Sequence, residues 1–145
     1  MSAQPVAEQG VLYGMTGEGR ISYVDTRDIA AVAARVLTSP GHQGNSYTLT
    51  GHEALSAAEV AERLSAANGR EVRYVDLPPD AFRQALAGAG LPDRLVDALI
   101  VGNTRLAAGD RAAVSDEVAR LTGRPPRTFE VFAADHRAAF GGQPS

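Results

Sequence analysis

Apolar positions along the chain follow two spacings, and each predicts a different kind of element. Ile29, Val32, Ala33, Val36 and Leu37 recur every three or four residues, which lays them on one face of a helix. Asp25 stands where its carboxylate suits an N-cap, Asp28 is a first-turn acid facing the positive end of the helix dipole, and Ser39-Pro40-Gly41 ends the run. Ser56-Ala-Ala-Glu59 is a capping box that opens a second helix burying Val60 and Leu64, with Asn68-Gly69 as its stop. Pro78-Pro79-Asp80 introduces a third through Phe82 and Leu86, broken between Gly88 and Gly90. From Leu91 to about Ala107 the apolar face is Leu95, Val96, Leu99, Ile100 and Leu106, with Pro92 in the first turn. Gly102 weakens that helix by about 1 kcal/mol relative to alanine. Two more are predicted, Ser115 to about Thr122 and Thr128 to about Phe140, the latter carrying Phe129, Phe132 and Ala133 on one face.

Strands are predicted where β-formers cluster or alternate. Val11 to Gly14 and Arg20 to Val24 read as a hairpin across the glycine-containing connection Met15–Gly19. Ser46 to Thr50 alternates and closes at Gly51, and Val72 to Val75 is the last strand. Residues 1–9, polar and interrupted by Pro5, read as a flexible lead-in; residues 10–140 form the domain, and 141–145 a loose tail. The order defines a small mixed α/β domain, with a few short strands and its helices concentrated C-terminally.

The length of 145 residues suits one such domain, and 44% apolar with 21% charged residues is a globular composition. The absence of cysteine excludes a disulfide scaffold, a zinc-thiolate site and a cysteine nucleophile. The chain has no lysine, so a Schiff base, a P-loop lysine and a Tyr-x-x-x-Lys pair are excluded as well. A net charge of −3 argues against nucleic acid as a partner. Without an apolar run long enough for a bilayer or a signal-like start, no membrane partner and a cytoplasmic location are expected.

The run from Gly17 through Asp25-Thr-Arg-Asp28 to Ala33, then Tyr47-Thr-Leu-Thr-Gly51, Ala54-Leu-Ser56, Gly69–Val75 and Leu121-Thr-Gly-Arg-Pro-Pro-Arg-Thr-Phe129, resembles the C-terminal half of the NmrA-like family. These are atypical short-chain dehydrogenase/reductase proteins, similar to NAD(P)H quinone oxidoreductases and redox-sensing regulators. The resemblance implies a substrate lobe without the Rossmann half, since Gly14-x-x-Gly17-x-Gly19 has the wrong spacing and context for a dinucleotide fingerprint. No cofactor is therefore expected in this chain by itself, and the apolar face that the Rossmann half covers is expected to take a partner: a homodimer or a separate Rossmann-type chain.

By the same resemblance, Arg20, Ser22, Tyr23, Asp25 and Arg27 line the former cleft and the helix from Leu91 forms its lid. Arg20, Tyr23 and Asp25 are the catalytic candidates, because arginine and tyrosine suit an oxyanion or enolate. Ser22, His52, Leu99, Asn103 and Thr104 are the candidate substrate-binding residues. Val101-Gly-Asn-Thr-Arg105 is more polar than the family's usual lid, which a changed ligand would require. Asp25 and Asp28 also have a purely structural reading as cap and first-turn acid, and His42 and His136 one as packing residues. With His42, His52 and His136 scattered, no metal site is expected. The leading functional reading is a small-molecule binder or cofactor-independent cyclase, isomerase or dehydratase. The alternatives are a truncated or split half of an NAD(P)H-dependent oxidoreductase, or a non-catalytic regulatory module.

Overall fold

A computed structural model describes residues 3–142. Seven α-helices and four short strands follow in the order α1 Ala3–Gln9, β1 Val11–Gly14, β2 Arg20–Ile21, α2 Thr26–Thr38, β3 Leu55–Ser56, α3 Ala57–Asn68, β4 Arg73–Asp76, α4 Pro79–Gly88, α5 Asp93–Ala107, α6 Glu117–Thr122 and α7 Phe129–Asp135, with a 3₁₀ turn at Arg137–Phe140. The domain is small, mixed α/β and helix-rich toward its C-terminal half, as the pattern of positions implies.

The cap chemistry is realised as read. Asp25 accepts from the Arg27 amide at the head of α2. Ser56 and Glu59 exchange both bonds of a capping box, and Gly69 closes α3 at φ +67°, a left-handed conformation that glycine adopts without cost.

Residues 11–24 do not form a hairpin. β1 runs parallel to β4, with Val11 opposite Arg73 and Gly14 opposite Asp76, while β2 pairs antiparallel with β3. Side chains of β4 decide this. The Thr16 amide donates to the Tyr74 hydroxyl (3.1 Å) and the Gly17 amide to Asp76 Oδ1 (2.9 Å), so the connecting loop is tied across β4. Residues 46–50 keep the alternation of a strand, Tyr47 and Leu49 inward and Ser46 and Thr48 exposed, yet form no ladder. Ser115 takes up their polar groups instead: its hydroxyl donates to the Thr48 carbonyl (2.5 Å), and its amide to Thr50 Oγ1 (2.9 Å). That capture also holds Ser115 outside α6.

Residues 3–9 are helical, where the sequence reads as an irregular lead-in. Val6 is fully buried, Pro5 falls in the first turn where its missing N–H costs nothing, and the Arg70 guanidinium donates to the Val6 and Ala7 carbonyls at the other end. Of the tail, residues 143–145 lie outside the described residues. The helix read from Thr128 to Phe140 bends at His136 (φ −111°, ψ 13°), because Asn68 and Arg70 both donate to the Phe140 carbonyl and draw that ring into the core.

Two apolar clusters organise the fold. The larger joins Val6, Leu12, Leu55, Val60, Leu64, Val72, Phe129, Ala133 and Phe140, uniting α1, β1, β3, α3 and α7. Its fully buried members contribute about 1.5–3 kcal/mol each. The smaller, Val32, Val118 and Leu121, packs α2 on α6. Between them, the start of α2 and the start of α7 come together.

Candidate functional site

That junction holds an apolar pocket of about 130 Å³, lined by Tyr23, Leu55, Phe129 and Phe132 on its greasy side and by Asp25, His52, Glu53, Arg127 and Thr128 among its polar residues. The rings of Tyr23 and Phe129 lie 6.1 Å apart and those of Phe129 and Phe132 5.6 Å, both tilted, an arrangement that favours aromatic contact. Phe129 is placed by the Thr128 cap, whose hydroxyl accepts from the Val131 amide at 3.3 Å.

Three carboxylate–guanidinium groups build the surroundings. Asp25 Oδ1 takes the Arg27 amide (2.8 Å) and Nε (2.9 Å), Oδ2 takes Nη2 (2.6 Å), and Arg27 Nη1 reaches Asp135 (2.6 Å). Hydrogen bonds from Arg27 hold the Asp25 carboxyl down at about 2, so it is ionised and engaged at neutral pH. Asp28, fully buried, accepts from the Arg127 amide (2.7 Å) and pairs with the guanidinium of Arg127 and, at 3.1 Å, that of Arg124. Glu53 pairs with Arg63 and stands 3.2 Å from His52 Nε2, and Arg63 also bridges to Glu130 (2.7 Å). Arg63 lowers the Glu53 carboxyl below its ordinary range. Burial pushes the Tyr23 phenol up, with Tyr74 adding to the effect, so Tyr23 is a protonated hydrogen-bond donor throughout the neutral range.

Of the residues singled out in the sequence, Tyr23, Asp25 and His52 line this pocket. Arg20 turns away to the capping box of α3, where its guanidinium embraces the Glu59 carboxylate. Ser22 is spent on the carbonyls of Arg111 (3.0 Å) and Ala113 (2.8 Å). Leu99, Asn103 and Thr104 sit on α5 and do not line the pocket; the Asn103 amide and Thr104 hydroxyl donate to the helix's own carbonyls at Leu99 and Ile100. Arg127, Thr128, Phe129 and Phe132 carry the opposite wall. The clue to them was the Arg124-Pro-Pro-Arg-Thr-Phe129 segment, which places a charge, a cap and a ring at the head of a helix. His42 is held between Tyr47 (2.8 Å) and Ser39 (3.1 Å), and His136 packs against Phe132.

The glycines at 14, 17 and 19 do not fit a dinucleotide. They lead from β1 to β2 rather than into a helix, and the amides of Thr16 and Gly17 are already taken by Tyr74 and by a carboxylate, which repels phosphate. Among the described residues no group of three or more His, Asp or Glu could hold a metal, and no helix is long and apolar enough to cross a membrane.

No family model matches the chain. It is 49% identical over 141 residues to an NAD(P)H azoreductase of Xenophilus azovorans, covering 97% of this chain and 49% of that protein. To quinone oxidoreductase 2 of Escherichia coli strain K12 it is 35% identical over 128 residues, covering 88% and 45%. A crystal structure of an NADPH-dependent quinone oxidoreductase from Escherichia coli superposes with a TM-score of 0.82 at 33% identity, over 92% of this chain and 48% of that one. The triphenylmethane reductase of a Citrobacter species shares the fold, with a TM-score of 0.78 at 22% identity. The fold is thus a quinone-reductase type of mixed α/β fold, in keeping with the NmrA-like resemblance. Its homologues are NAD(P)H azoreductase and quinone oxidoreductase-like proteins, and the chain spans about half the length of the curated relatives it matches.

Proposed function

We propose that this chain is the acceptor-binding part of an NAD(P)H-dependent oxidoreductase of the azoreductase and quinone oxidoreductase kind, with the dinucleotide held by protein outside these 145 residues, on the same polypeptide or on a companion. The observation that carries the reading is the aromatic-walled pocket at the junction of α2 and α7, in a chain 49% identical to an NAD(P)H azoreductase. A volume of about 130 Å³ is close to the roughly 150 Å³ that accommodates benzene in a protein interior, so the pocket suits one six-membered ring. Phe129, Phe132 and Leu55 supply the apolar contact, and the Tyr23 phenol supplies a donor to a carbonyl oxygen or azo nitrogen on that ring. Asp25, engaged by Arg27, holds the head of α2 in place. The relatives favour this reading over a cofactor-independent cyclase, isomerase or dehydratase.

The test is a thermal-shift titration with 1,4-naphthoquinone and with a monoazo dye, on the wild type and on Phe132→Ala and Tyr23→Phe. Either ligand at a hundredfold excess over its dissociation constant stabilises the native protein by about 2.7 kcal/mol. Phe132→Ala abolishes the shift, and Tyr23→Phe weakens binding several-fold while the protein stays folded. A wild type that responds to neither compound, or variants that respond as the wild type does, overturns the proposal.

A further inference from the structure

A second cavity opens on the far side of the α2–α6 pair and is unlike the first in chemistry. It measures about 460 Å³ and is lined by three arginines, Arg35, Arg120 and Arg124, together with Ala31, Leu121, Thr122 and Gly123. From this convergence we infer that the cavity is a binding site for a phosphate-type oxyanion borne by a small molecule, separate from the ring-binding pocket and independent of the function proposed above.

An unpaired arginine beside two others points to an anion. Three guanidinium groups line the cavity: Arg120 is paired with Glu117 and also feels Asp116, Arg124 shares Asp28 with Arg127 of the ring-binding pocket, and Arg35 is the third. Among the described residues Arg35 has no carboxylate within ion-pairing distance. Arg35 is thus the lining guanidinium whose charge is left without a carboxylate partner, on a chain whose net charge is −3. An oxyanion would give Arg35 a partner while sharing the exposed forks of Arg120 and Arg124, and the planar fork of arginine matches the oxygens of phosphate.

The site is also positioned in advance. Arg124 is fixed by buried Asp28 through the Arg124-Pro-Pro-Arg127 loop, whose two prolines restrict the backbone. Arg120 is steadied by Glu117 and by the Tyr47 ring, 5.6 Å from its guanidinium carbon. Backbone amides have no share in it: Gly123 N–H donates to the Ala119 carbonyl, and Arg124 N–H to Thr122 Oγ1 (3.4 Å). Recognition therefore rests on the guanidinium groups, and the open cavity leaves room for the rest of a phosphorylated small molecule.

The test uses inorganic phosphate and pyrophosphate as probes, titrated into the intact chain at matched ionic strength with chloride as the reference. Binding is read from amide chemical shifts at residues 31–35 and 120–124. Saturable binding is expected, with pyrophosphate at least tenfold tighter than phosphate. Arg35→Gln weakens it tenfold or more, and Arg94→Gln, which removes an equal charge from the surface of α5, leaves it unchanged. Shifts that never saturate, or equal losses in the two variants, overturn the inference and leave only diffuse attraction of anions.

Discussion

Replacing Asp28 by asparagine is the sharpest probe of how the two ends of the pocket wall are joined. One oxygen of this fully buried carboxylate accepts from the Arg127 amide, and the other serves the guanidinium groups of both Arg127 and Arg124. Asparagine keeps a single acceptor and turns an NH₂ toward one of these donors, so at least one charge-assisted bond is lost and one donor faces another. A hydrogen bond to a charged group contributes about 1.5–3 kcal/mol, and breaking a buried pair costs about 3–5. Arg127 and Arg124 keep 29% and 41% of their side-chain surface exposed and can turn to water, which places the expected loss near the lower end, about 3 kcal/mol. For a chain of this length that lowers Tm by about 6–12 °C. Urea denaturation followed by circular dichroism gives the free energy directly, and amide exchange should show residues 124–128 opening first. A loss below 1 kcal/mol, or unchanged exchange in that loop, would refute the reasoning that Asp28 ties α2 to the start of α7.

Acid should weaken the same corner. The Asp25 carboxyl lies at about 2 when folded against about 3.9 unfolded, so between those values the unfolded chain binds more protons and stability climbs with pH. The contribution is complete above about pH 4 and disappears as pH falls through 2; solvent screening at half-exposed Arg27 reduces it to about 1–2 kcal/mol. Urea midpoints measured from pH 2 to 5 should show this slope, and Asp25→Asn should flatten it. Two glycines should respond in opposite directions to alanine. Gly102 has open space where a Cβ would stand, so Gly102→Ala stabilises α5 by about 1 kcal/mol, whereas at Gly51 a Cβ would overlap the Tyr23 carbonyl oxygen, and Gly51→Ala should lower Tm and abolish ring binding together. Ser56→Ala, which removes half of the capping box of α3, should cost about 1 kcal/mol in the same unfolding assay.

Helices were legible in the sequence because caps and periodicity are local. Asp25, Ser56 and Gly69 mark boundaries through bonds to residues two to four positions away, and those bonds form as read. Strand partners were not legible, because pairing depends on what arrives from elsewhere in the chain. Val11–Gly14 had the composition of a strand, but Tyr74 and Asp76, about sixty residues on, chose its neighbour. Residues 46–50 had the alternation of a strand, and two hydroxyl-bearing residues took the place of a ladder. The pocket was half legible. Tyr23, Asp25 and His52 are candidates on the sequence alone, whereas Phe129 and Phe132 read as an ordinary helix face, and only the fold, with α7 packed on α3, sets that face beside Tyr23 and Leu55. Asp28 carried the same ambiguity: a first-turn acid is usually solvated, and only the return of Arg124 and Arg127 makes this one a buried junction.

An aromatic acceptor belongs in the pocket between Tyr23 and Phe132 if the proposed function holds. Amide and methyl chemical-shift mapping of the chain with 1,4-naphthoquinone tests that directly. Shifts confined to residues 23–26, 52–55 and 127–132 are the expected result. Shifts centred instead on Leu99, Asn103 and Thr104 of α5, with the Phe129 and Phe132 signals unmoved, would contradict it.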